Sequence, residues 1–164
     1  MITVAKSIAA GLLLSGVIGE KEVFDSMPGG SIGGTYVGNP LACRAGIEVL
    51  NIIEEEKLLD RAAAIGKLIR KRFDEMKGKY AIIGDVRGLG AMLGMELAKD
   101  PVTKVPAKDE CAAVVQECLR NGVIIPSAGI YGNVLRLLLP LVITDEQLNE
   151  GLDVLEAAVG KVEN

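Results

Sequence analysis

From Leu58 to Met76 apolar residues return every three or four positions: Leu58, Ala62, Ile65, Ile69, Phe73 and Met76. That period is the signature of one face of a long helix, and such a face has to be buried. The helix is predicted to begin near Lys57 and to stop at Gly78 as its C-cap. The cover for the stripe follows directly in the chain. In VRGLGAMLGMEL, residues 86–97, Ala91, Leu93, Met95 and Leu97 alternate, as in a strand with one buried face. DPVTKVP, residues 100–106, reads as a loop with two prolines. Cys111, Val114, Val115, Cys118 and Leu119 predict a third helix that ends at Asn121-Gly122. GVIIPSAG reads as a short buried strand, and VLRLLLPLVI as a strand closed by Pro140. Thr144-Asp145-Glu146-Gln147 is a capping-box pattern, opening a helix whose face is Leu148, Leu152, Leu155 and Val159. Helix, strand, helix, strand, strand, helix from residue 57 onward predicts an α+β fold. Its small antiparallel sheet is covered by helices on one face.

Residues 1–40 do not fit that unit. They are expected to hold apolar strands and many glycines, with no helix of their own. Asn39-Pro40 is a helix start, Asn as N-cap and Pro in the first turn. Leu41, Ala45, Val49, Ile52 and Ile53 then recur at helical spacing. The expected division is therefore 1–40, a connecting helix 41–56, and 57–164. The opening run, MITVAKSIAAGLLLSGVIG, has one Lys followed by apolar residues, as a short secretory signal does. Gly11 and Ser15 interrupt it, and it is too short to span a membrane. A buried strand, a turn at Lys6-Ser7 and a second strand describe it equally well.

With 164 residues the chain has enough length for one substantial core. It contains no histidine, so Ser-His-Asp and Cys-His catalysis and His metal ligands are excluded within it. A net charge of -4 gives no footprint for nucleic acid. Cys43, Cys111 and Cys118 form no C-x-x-C pair and read as small apolar fillers in a reducing compartment.

Four features carry candidate chemistry. Lys6 lies among Ile2, Val4, Ala5 and Ile8. Apolar surroundings favour a neutral amine, the nucleophile that captures an aldehyde, but a snorkelling lysine has the same sequence. GGSIGGTY, residues 29–36, offers bare backbone N–H groups and a Thr hydroxyl to an anion, or it is a flexible loop. It is not a P-loop, since G-x-x-x-x-G-K-[ST] is absent. Gly88, Gly90 and Gly94 enter a strand rather than leave one, so they serve a turn and close packing, not dinucleotide binding. Arg136 sits in VLRLLL with apolar neighbours on both strand faces. Its guanidinium is expected to need a partner, either a carboxylate of the protein or an anionic ligand.

Together, TVAKSIAAG around Lys6, GGTYVGNPLA at 33–42, VRGLGAMLGMEL at 86–97 and YGNVLRLLLPL at 131–141 resemble class III aminotransferases, in the same order and over essentially the whole chain. The resemblance is nearest to the 4-aminobutyrate aminotransferase branch. It implies pyridoxal phosphate as cofactor and the aspartate-aminotransferase-like fold (fold type I). Residues 57–164 would be the C-terminal small domain and 1–40 a remnant of the large one. It implies that Lys6 forms the Schiff base and shuttles the proton. Thr35, next to Gly34, would bind the cofactor phosphate of the partner subunit, and Arg136 the substrate carboxylate. The implied substrates are an amino acid such as 4-aminobutyrate and an oxo acid such as 2-oxoglutarate. The implied setting is a cytoplasmic homo-oligomer without membrane or nucleic-acid partners. The family's pyridine-nitrogen acid, stacking aromatic and main phosphate loop have no counterpart here. Leu13 stands where the family usually has Pro, and Val37 where Gly is frequent. The chain alone is therefore expected to bind the cofactor weakly or not at all and not to turn over. The alternative is a folding or dimerisation domain whose site residues are idle.

Overall fold

The computed structural model describes residues 1–100 and 102–163, so Pro101 of the predicted DPVTKVP loop lies outside the described residues. The chain divides into two compact units, Met1–Leu58 and Leu59–Asn164.

In the first unit, β1 (Ile2–Val4) pairs antiparallel with β2 (Gly16–Ile18), with Val4 opposite Gly16. The expected turn between them is a 3-10 turn, Lys6–Ala9. Two expectations fail. The strands are not buried: Ile2 is 62% and Ile18 58% exposed, because a two-stranded ribbon has too little surface to cover its own side chains. The segment also has a helix of its own, α1 (Lys21–Asp25), laced by the i,i+4 pair Lys21–Asp25 and closed by the Ser26 hydroxyl on Val23 O at 2.8 Å.

Helix α2 (Pro40–Glu55) starts as expected. Asn39 Oδ1 accepts from the N–H groups of Leu41 (3.0 Å) and Ala42 (3.2 Å), and Pro40 fills the first turn. Its buried residues are Ala42 and Gly46 rather than the predicted larger stripe, and Leu41 is 75% exposed. The 3-10 turn packs on this helix.

The second unit is built around α3 (Leu58–Lys79). Ile65, Ile69, Phe73 and Met76 are all buried, as the stripe requires. Gly78 is not the cap: the helix passes through it, and the Tyr80 N–H closes the last turn on Met76 O at 2.8 Å. The segment 86–97 is not one strand but the tip of a hairpin, β3 (Ile83–Leu89) and β4 (Met92–Leu97). Gly90, at φ +55°, begins its two-residue loop, the position where hairpin turns need positive φ. A Cβ on Gly66 of α3 would lie 2.3 Å from Gly90 O, so helix and hairpin tip meet backbone to backbone. The glycines of this segment thus serve turn and contact, as expected.

Helix α4 (Lys108–Arg120) ends at Asn121-Gly122 as predicted. The next two strands are shorter than predicted. β5 is only Ser127–Ala128, and β6 stops at Arg136 (Val134–Arg136), four residues before Pro140. The antiparallel sheet has the order β3-β4-β6-β5. Asn133, buried just before β6, fastens it to β4: its side-chain N–H donates to Leu97 O, and its own carbonyl accepts from Leu97 N, both at 2.8 Å.

The last helix, α5 (Asp145–Glu163), opens on a working capping box, with Thr144 N on Gln147 Oε1 and Gln147 N on Thr144 Oγ1, each 3.2 Å. One core joins the α3 stripe, the inner sheet residues Val86, Leu93, Met95 and Leu135, and Leu148, Leu152, Leu155 and Val159 of α5. Cys111 and Cys118 of α4 belong to it, and burial pushes both thiols up to about 11. Arg72 of α3 bridges Asp153 (2.6 Å) and Glu156 (3.2 Å) of α5, and Lys79 reaches Glu156 at 2.9 Å. The unit is α+β with a small antiparallel sheet.

Candidate active site

Lys6 opens the 3-10 turn with φ +59°, a left-handed conformation that a residue with a Cβ adopts at a cost of about 1–2 kcal/mol. Such geometry persists where surrounding structure dictates it, and functional sites are enriched in it. The side chain is exposed. The enclosure expected from its apolar neighbours is not found, because they lie on a thin ribbon that leaves the amine in solvent. Lys6 and Ser7 form one wall of a cleft of 330 Å³, with Gly11 to Leu14 completing it.

A larger cleft of 690 Å³ lies along the ribbon. Thr3, Val4 and Ala5, which lead into Lys6, line it together with Gly34 and Thr35 of the glycine-rich segment, and Leu13 and Leu14 border both clefts. The fold thus brings the predicted anion loop against the strand that leads to the predicted amine, but sets Thr35 and Lys6 in adjoining clefts rather than one. A Cβ at Gly33 would meet open space, and at Gly34 only Val37 Cγ2 at 3.8 Å, so the loop presents bare backbone. Val37 N bonds to Gly34 O at 3.2 Å and closes the turn behind Thr35. Among the described residues the Thr35 hydroxyl has no hydrogen-bond partner. Bare backbone plus a free hydroxyl fits an anion such as phosphate, and the free primary amine of Lys6 fits an aldehyde. The cleft walls at Thr3–Ala5 and Leu13–Val17 arise from strand pairing and carry no sequence motif.

In the second unit Arg136 is the last residue of β6 and lies opposite Gly94 in register. The expected burial is absent: the residue is exposed, because alternation turns it to the sheet's outer face. Of its two expected partners, a carboxylate of the protein is not found among the described residues, which leaves the anionic ligand. Arg87, the other neighbour of Gly94 across the sheet, is held by Asp85 (2.9 Å) and Glu96 (2.6 Å), whereas Arg136 has no ion pair among the described residues. The Arg87 guanidinium holds the Asp85 carboxyl below its ordinary value. Of the two arginines, Arg136 alone keeps its planar fork open to an external carboxylate. Among the described residues no group of three or more His, Cys, Asp or Glu is placed to hold a metal, and no helix is long and apolar enough to cross a membrane.

Comparison with known proteins matches one family, whose similar members include aminotransferases and also a leucine/methionine racemase of Thermococcus litoralis, 47% identical over 99% of this chain and 36% of that protein. The family model described as Aminotransferase class-III matches residues 1–159. A probable 4-aminobutyrate aminotransferase of Bacillus subtilis (strain 168) is 51% identical over 159 residues, covering 97% of this chain and 36% of that protein. Among solved structures, a Bacillus anthracis aminotransferase superposes with a TM-score of 0.87 at 35% identity, over 97% of this chain and 38% of that one. An amine transaminase from an uncultivated Pseudomonas species, solved in its PLP-bound form, matches 80% of this chain and 30% of that one, at 32% identity and a TM-score of 0.72. The chain spans little more than a third of the length of these curated relatives, 36%.

Proposed function

The chain belongs to the class-III aminotransferase family, whose cofactor is pyridoxal phosphate, and we propose that it forms the part of such a transaminase that carries the amine nucleophile, one phosphate contact and the carboxylate clamp. The reaction moves an amino group from 4-aminobutyrate or a similar amino acid to an oxo acid such as 2-oxoglutarate. The cofactor, when bound, supplies an aldehyde and a ring that accepts the electron pair of a breaking C–H bond. Lys6 would hold the cofactor through its amine and, once the substrate amine has displaced it, would take and return the proton at the substrate carbon. Thr35 and the backbone beside Gly34 would hold the phosphate, on the partner subunit's cofactor in a homo-oligomer. Arg136 orients the substrate by a two-pronged bond to its carboxylate. Residues 57–164 act as the C-terminal small domain, 41–56 as a connecting helix, and 1–40 as part of the large domain. Three free cysteines support a reducing, cytoplasmic setting.

The observation that carries this reading is Lys6 itself, exposed and left-handed at φ +59°, with no ion pair among the described residues, directly after the strand that lines the larger cleft. The same cleft supports a second element: by themselves these 164 residues do not turn over. Its lining contains no Asp or Glu to pair with the pyridine nitrogen, the contact that gives the cofactor much of its electron-accepting power. The test is a titration of the chain with pyridoxal phosphate followed by an assay of amino transfer from 4-aminobutyrate to 2-oxoglutarate. Weak binding and no transfer are expected. A tight, Lys6-dependent absorbance change with transfer refutes the inactivity. Co-expression with the remainder of a class-III relative is expected to give activity that Lys6→Ala abolishes, and no such activity refutes the transaminase role.

A folding or dimerisation role has one specific observation in its favour: Leu13, Val37 and Leu41 are each more than two-thirds exposed, at 71%, 71% and 75%. It predicts concentration-dependent association in sedimentation, weakened by Leu41→Glu. A monomer at all concentrations removes this reading.

A further inference from the structure

We propose that Gly46 of α2 is a positioning residue for Lys6: it admits the 3-10 turn so close to the helix that Lys6 is held in its left-handed conformation. The inference rests on the reading of Lys6 as the amine of the site and adds what sets its geometry.

The 3-10 turn has one buried residue, Ala9, and α2 has two, Ala42 and Gly46, one helical turn apart. The turn packs on α2. A Cβ placed on Gly46 would lie 3.0 Å from Leu14 Cδ2 and 3.4 Å from the backbone oxygen of Ile8, two residues after Lys6. Helix and turn therefore meet with no side chain of residue 46 between them. Of the hydrogen bonds at the turn's ends, Ile8 N to Ala5 O is long at 3.4 Å, whereas Ala10 N to Ser7 O at 3.2 Å and Leu12 N to Ala9 O at 3.0 Å are ordinary. Left-handed backbone recurs at Ala10, φ +50°, so the strain brackets the turn. Two strained non-glycine residues require support from outside the turn, and α2 is the element packed on it. A methyl at 46 meets chiefly the movable end of Leu14. A branched side chain also meets the Ile8 carbonyl, which moves only if the turn moves.

The test uses the whole chain and two readouts. The first is the Lys6 backbone by NMR, where a positive φ gives a strong intraresidue HN–Hα cross-peak. The second is trapping with pyridoxal phosphate and borohydride, mapped by mass spectrometry as Lys6 relative to the exposed Lys21. Gly46→Val is expected to weaken the cross-peak and to lower relative trapping at Lys6 by about twofold, a small factor because the lone chain holds the cofactor weakly. Gly46→Ala is expected to give a smaller loss in both, restored by adding Leu14→Ala. Ile47→Val, on the exposed side of α2, is expected to change neither. If Gly46→Val does not fold, as judged by circular dichroism, Gly46→Ala and its Leu14→Ala rescue decide the matter. Folded Gly46 variants that keep both the cross-peak and the trapping ratio overturn the proposal. If trapping at Lys6 never exceeds that at Lys21 while the cross-peak still responds to residue 46, the positioning stands and the assignment of Lys6 as the reactive amine falls.

Discussion

The two units of this chain solve opposite problems. Leu59–Asn164 spends its sequence on a core: the α3 stripe, the inner sheet face, α4 and α5 share one buried cluster. Met1–Leu58 buries only Ala9 and Ala42 among its hydrophobic residues, and leaves Leu13, Val37 and Leu41 largely exposed. Yet the smaller unit holds the strained lysine and the clefts beside it. The core is thus carried by one part of the chain and the candidate amine and phosphate contact by the other, while Arg136 belongs to the unit with the core. A unit with few buried contacts is the part expected to open locally at low free energy.

That contrast can be broken most forcefully at Gly88. Its φ is +146°, and an added Cβ would lie 2.1 Å from Met92 O, so Gly88→Ala should cost more than about 4 kcal/mol and unfold the second unit. A cooperative urea transition that survives unchanged would contradict this. Next in size is Phe73→Ala, in the same core, expected to cost about 3–5 kcal/mol, against less than about 1 kcal/mol for Leu14→Ala in the first unit. Equal shifts of the urea midpoint would erase the distinction. The caps sharpen it at smaller scale. Thr144→Ala should lower the second unit's stability by about 1 kcal/mol. Asn39→Ala should instead appear as faster amide exchange at Leu41 and Ala42, with little change in the main transition.

The smallest effect is that of acid. Lys79 and then Arg72 hold the Glu156 carboxyl below its ordinary 4.5. Lys161 and Arg120 do the same for Glu117, and Arg87 for Asp85. A carboxyl with a lowered folded value contributes stability above its unfolded value and loses it as pH falls through the folded one. The second unit's urea midpoint should therefore fall between pH 4.5 and more acidic solution, modestly because these pairs lie near the surface. A midpoint that rises on acidification would reverse the sign.

The helices were legible because their information is local. The Asn39-Pro40 start, the Thr144–Gln147 box and the α3 and α5 stripes appear where periodicity and capping chemistry put them. The hairpin was read as one strand because GLGA lacks the Asn-Gly or Asp-Gly of a familiar tight turn, while alternation after it runs on unbroken. Strands β5 and β6 were read too long because an apolar run does not reveal where pairing stops. At the candidate site the residue types were legible and their surroundings were not. Lys6 and Arg136 have apolar sequence neighbours, but solvent access depends on what folds over them, and sequence neighbours on a ribbon or an outer sheet face cover little.

The burial of Cys111 and Cys118 has a practical side. Both thiols lie in the core with values near 11, while Cys43 on α2 is partly exposed. A maleimide dye at neutral pH should therefore select one position in the unaltered chain. Cys43 is three residues from Gly46, so a single fluorophore there would watch the helix beneath Lys6 in real time, as cofactor or partner chains are added, with no engineered cysteine needed.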